Sequence, residues 1–71
     1  MSVTVQAISG PNDVEFAYYR AIHDSDIRFQ KVRTVARSAM ASGALDRDAE
    51  KAALAAEVEQ MYADYMATQE T

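Results

Sequence analysis

Apolar residues recur along this chain as one seam that runs out, turns and comes back. It reads Tyr18, Ile22, Ser25, Phe29, Val32, Ala36 and Ala39, then Ser42-Gly43-Ala44, then Leu54, Val58, Met61 and Tyr65. The steps alternate between three and four, the rhythm of helices packed along a stripe. Between Asp13 and Ser42 there is neither Gly nor Pro, and the seam keeps its register through Ser25. The pattern therefore predicts one long helix over about 12–42. A break near 24–26 is the alternative, because Asp24, Ser25 and Asp26 all compete for backbone hydrogen bonds. Gly43 suits the left-handed residue that ends a helix. Asp46 suits an N-cap, with Asp48 and Glu50 in the first turn of a second helix over about 46–69.

The N-terminal residues behave differently. Residues 2–9 alternate loosely and are compatible with a strand, which Gly10-Pro11 ends. The expected organisation is an extended arm over 1–11 and a helical hairpin domain over 12–71. The predicted fold class is thus all-α: an antiparallel helical hairpin with an N-terminal arm, paired into a dimeric four-helix bundle.

Closing the hairpin tests its register. Facing residue numbers sum to about 87 for a short helix–helix connection. Phe29 then faces Val58, Ile22 faces Tyr65 and Val32 faces Leu54, while Ser25 falls beside Met61 and Tyr62. Glu50, Glu57 and Asp64 recur every seven residues, opposite Arg37, Gln30 and His23. Such exposed pairs set register more than stability.

Length and composition narrow the function. Seventy-one residues make one domain, which buries only about 60% of its unfolded surface. Cysteine is absent and there is a single histidine, so neither disulfides nor a thiolate metal site can staple the fold. Association with another chain is the expected remedy. The net charge of −4 argues against non-specific nucleic-acid binding. No apolar run approaches the ~20 residues of a membrane span. The first residues lack the basic start and apolar core of a signal peptide, so a cytoplasmic protein is expected.

The candidate chemistry is mostly bland. His23 with Asp64, Asp24 and Asp26 lacks the nucleophile or Gly-rich context of a catalytic or metal site and reads as a structural histidine on the helix surface. Asp46, Asp48, Glu50 and Glu57 match several calcium-loop positions, yet Lys51 stands where the loop needs Gly. Arg28, Lys31, Arg33 and Arg37 flank the seam on both sides and read as its rim. No catalytic residue, metal ligand or cofactor is expected.

What stands out is apolar surface in excess of one seam. Phe16, Tyr19 and His23 form a second face on the first helix, and Tyr62, Tyr65 and Met66 extend the face of the second. Aromatic residues and Met are enriched at interface centres. These six are the expected protein-binding residues. The expected function is a small non-enzymatic interaction module, an adaptor, assembly factor or inhibitor. Its partners are a second copy in a homodimer, a larger protein, or both, with residues 3–8 able to add a strand to another sheet. The alternative is a ribbon–helix–helix-like DNA-binding regulator or antitoxin that reads bases with Thr4 and Gln6. Its strand carries no Arg or Lys, and Gly10-Pro11 follows immediately.

Overall fold

The computed structural model describes residues 2–69. It is not a helical hairpin. Three strands, β1 (Val3–Ala7), β2 (Phe16–His23) and β3 (Gln30–Ala36), precede two helices, α1 (Arg37–Ser42) and α2 (Arg47–Gln69). The strands form one antiparallel sheet in the order β1-β2-β3. The predicted all-α hairpin, with its coiled-coil seam and four-helix bundle, is therefore corrected to an α+β fold. The expected arm contributes β1, whose Val5 pairs with Ala21 of the same chain.

The physical reason lies in the stretch expected as the first helix. It is dense in β-branched and aromatic residues, which a pleated surface accommodates better than a helix. Its weak point, Asp24-Ser25-Asp26, is the β2–β3 turn. The Asp26 carboxylate accepts from the Arg28 backbone N–H at 3.0 Å, and the Asp26 carbonyl accepts from the Phe29 N–H at 3.1 Å. These local bonds reverse the chain where a helix would need it straight. The β1–β2 connection is fixed similarly. The Asp13 N–H donates to the Gly10 carbonyl at 3.1 Å, and Ser9 Oγ accepts from the Tyr18 N–H at 2.8 Å.

Helix α2 spans nearly the range expected for the second helix. Asp46 begins it, its carboxylate accepting from the Asp48 N–H at 3.3 Å. The preceding α1 ends on Gly43 at φ 86°, a left-handed cap. Helix α2 packs chiefly across β2 and β1, and its Glu50 and Glu57 reach Arg33 and Lys31 of β3.

The core sits between α2 and one sheet face. Val3, Ala17, Tyr19, Ala21 and Val35 point inward from the strands onto Leu54, Ala55 and Val58. Leu54 and Val58 are fully buried, each contributing about 1.5–3 kcal/mol. Along β2 burial alternates strictly, with the odd-numbered residues inward. Tyr18, Ile22, Val32 and Ala36 of the expected seam hold even-numbered positions on the opposite face, whereas Phe29 packs toward α2.

Ion pairs fringe the helix. Arg33 Nε lies 2.9 Å from Glu50 and its Nη1 3.4 Å from Glu57, which also meets Lys31 at 3.4 Å. The helix acids thus face Arg33 and Lys31, not Arg37 and Gln30. Asp64 accepts from Gln60 at 2.8 Å on its own helix, while His23 faces Glu59 at 3.6 Å.

Candidate functional site

A helix covers only one side of the sheet. The opposite side is built from the even-numbered positions: Thr4 and Gln6 on β1; Phe16, Tyr18, Arg20 and Ile22 on β2; Gln30, Val32, Thr34 and Ala36 on β3. Antiparallel pairing places Gln6 and Val32 on either side of Arg20, and Thr34 beside Tyr18. Phe16 is 41% exposed and Val32 49%, with Ile8 exposed at the margin. Three strands at ~4.8 Å spacing and seven residues at ~3.3 Å rise give this face a footprint of about 300 Å². Five of the ten positions, Phe16, Tyr18, Ile22, Val32 and Ala36, are apolar, and apolar side chains grouped on one uncovered face often mark an interaction site. Beyond its Phe16 end lies a shallow hollow of about 250 Å³ lined by Asn12–Phe16 and Tyr18.

The opposite end of the covered face holds an aromatic cluster. His23 is 1% exposed. Its ring stacks on Tyr62 at 3.9 Å between centroids, inclined by 17°. Tyr62 meets the edge of Phe29 at 5.7 Å, and Phe29 meets Tyr65 at 5.1 Å. His23 Nδ1 accepts from the Ser25 N–H at 3.1 Å, which leaves Nε2 to carry the proton of the neutral ring. That nitrogen is buried and points toward Glu59, beyond hydrogen-bond distance. Arg28 closes the cluster, its guanidinium 5.6 Å from the Tyr65 ring centroid. The Arg28 side chain donates to Asp26 at 2.6 Å and, with the Arg28 backbone N–H, holds the Asp26 carboxyl below its usual range. The same carboxylate raises the pKa of Arg28.

The six residues expected to bind protein are thus separated. Phe16 lies on the open face. Tyr19 and His23 lie inward, 6% and 1% exposed, and act in the core. Tyr62 and Tyr65 are half-buried in the aromatic cluster, and Met66 is exposed on the last turns of α2. Thr4 and Gln6 both sit on the open face, though the Thr4 hydroxyl donates to Asp24 at 2.6 Å. The strand that a ribbon–helix–helix protein pairs across a dimer is paired here with β2.

Sequence reasoning missed Tyr18, Arg20, Ile22 and Val32 as surface residues. The signal lay in the period-two run Phe16, Tyr18, Arg20, Ile22. It was masked because the intervening Ala17, Tyr19 and Ala21 are apolar too. Among the described residues no group of three or more His, Cys, Asp or Glu is arranged to hold a metal, and no helix is long and apolar enough to cross a membrane. The chain matches no protein-family model, no curated protein and no solved structure.

Proposed function

We propose that this protein is a non-enzymatic interaction module that docks a segment of another polypeptide on the helix-free face of its sheet. The observation that carries this reading is the distribution of apolar side chains. Phe16, Tyr18, Ile22 and Val32 stand on the uncovered face, while Lys31 and Arg33 of the neighbouring positions point to the helix side. A small domain with little core has strong reason to bury such residues inward. Their outward placement makes sense when a second polypeptide covers them. The ~300 Å² footprint accommodates one helix, about 10 Å wide, or an extended segment.

A displayed library of short random peptides, panned on the full chain, tests the reading. Phe16→Ser combined with Val32→Ser is expected to abolish capture while leaving the urea midpoint nearly unchanged, as for surface substitutions generally. Met61→Ser combined with Met66→Ser, on exposed positions of α2, is expected to leave capture intact. Equal capture by the parent and the Phe16/Val32 variant refutes docking on this face.

A further inference from the structure

The open face carries one charge, and nothing in the described chain answers it. Arg20 stands at the centre of the face, between Tyr18 and Ile22 along β2 and between Gln6 and Val32 across the sheet. Its Nε is buried without a hydrogen-bond partner, and the terminal nitrogens are left at the surface. Of the other six cations, Arg28 pairs with Asp26, Lys31 with Glu57, Arg33 with Glu50 and Glu57, and Arg47 with Asp48, while Arg37 and Lys51 make no ion pair among the described residues. Among the described residues Arg20 has no such partner. A partly desolvated guanidinium with an unmet donor, set among apolar side chains, is a poor arrangement for an isolated domain. It is a good one for a site completed by an anion, because the planar fork of Arg matches a carboxylate.

We infer that the segment docked on this face presents a carboxylate to Arg20, from an Asp or Glu flanked by apolar side chains. The inference rests on the docking reading above and adds the chemistry of the partner. Two other occupants fit less well. A second copy offers no acid from the outward positions of β1, β2 or β3, and Asp24, at the rim beside Thr4, is already engaged by the Thr4 hydroxyl. Symmetric pairing of two such faces brings guanidinium against guanidinium at their centres. A nucleic acid is gripped through several cations at once, whereas this face has one and the chain as a whole is at −4.

The same library, panned in parallel on the full chain and on Arg20→Gln, Arg20→Lys and Arg20→Glu, separates the outcomes, with circular dichroism confirming that each variant is folded. The parent is expected to enrich peptides holding one Asp or Glu among apolar residues. Against one such recovered peptide, Arg20→Gln weakens binding about ten- to hundred-fold, the range of a charge-assisted hydrogen bond. Arg20→Lys keeps the charge without the fork and loses less, and Arg20→Glu turns the selection toward Lys and Arg.

Enrichment of purely apolar peptides, or equal binding by Arg20→Gln, overturns the carboxylate while leaving docking in place. Failure to enrich anything over the Phe16/Val32 variant overturns docking itself. A stable dimer in solution that Phe16→Ser dissolves assigns the face to a second copy and overturns the inference. Tighter, Arg20-dependent binding of a single-stranded oligonucleotide overturns it in favour of nucleic acid.

Discussion

Adjacent tyrosines on β2 give the sharpest test of the architecture. Tyr19 points inward and is 6% exposed, opposite Ala7 and Arg33, with Ala17 and Ala21 as its inward neighbours along the strand. Tyr18 points to the open face. Tyr19→Ala removes a buried ring from a core whose adjoining strand residues are mainly alanines, too short to swing into the space. Ring deletions of this kind cost about 3–5 kcal/mol, more where the surroundings cannot collapse. A domain of this length is stable by roughly 4–11 kcal/mol in total, so the substitution removes about a quarter of its stability at the least. With about 4–8 °C of melting temperature per kcal/mol, the variant should unfold well below its parent or be unfolded in buffer. Tyr18→Ala loses only cross-strand contact on an uncovered face, about 1 kcal/mol or less. Tyr19→Phe keeps the ring and should cost under about 1 kcal/mol. Urea titrations followed by far-ultraviolet circular dichroism, read at equal slope, compare the three. A helical hairpin reverses the order, because its seam buries Tyr18 and exposes Tyr19. Greater destabilisation by Tyr18→Ala would therefore refute the inward assignment of the odd-numbered β2 residues.

Two further outcomes follow from the turn and the helix fringe. Gly43→Ala should destabilise by about 1 kcal/mol, because φ is 86° while an added Cβ meets nothing within 4 Å, so the cost is conformational alone; Gly43→Asn should cost less in the same thermal melt. Arg33→Gln breaks the contacts to Glu50 and Glu57 and should lower stability by up to about 1 kcal/mol at low salt. The difference should vanish near 1 M salt, where screening acts within about 3 Å, and a salt-independent loss would show that Arg33 acts by packing.

The second half of the fold was legible because its signals are local. An Asp46 cap, a glycine that must be left-handed and a run of strong helix formers fix α2 with little tertiary help. The first half was not legible by periodicity, because β2 is apolar on both faces. Phe16, Tyr18 and Ile22 alternate with Ala17, Tyr19 and Ala21, so a three-four pattern is found by stepping from one face to the other. The expected seam did this, joining outward Tyr18 and Ile22 to Phe29, which packs toward the helix. Residue type was the better guide. The turn-forming Asp24-Ser25-Asp26, read as a weak point of one helix, divides two strands. The candidate site was blurred for the same reason, since a wrong period exchanges Tyr18 with Tyr19 between surface and core.

Strand β3 shows why the alternation could not be recovered from that strand alone. Its apolar Val32 faces outward, and its charged Lys31 and Arg33 face the helix side. A half-buried strand ordinarily does the opposite. The inversion is tolerable on the inner side because α2 brings Glu50 and Glu57 against those cations at its edge. On the outer side nothing within the described chain compensates Val32 or Phe16. Natural sequences usually agree across local and global levels, and their violations concentrate where function imposes them. Here one strand departs from the rule at Lys31–Arg33, with its charges answered and Val32 uncovered although Val35 is buried, and the neighbouring strand adds an unpaired Arg20 at the same place. The two departures share one face, and a partner bringing apolar side chains and a carboxylate resolves both.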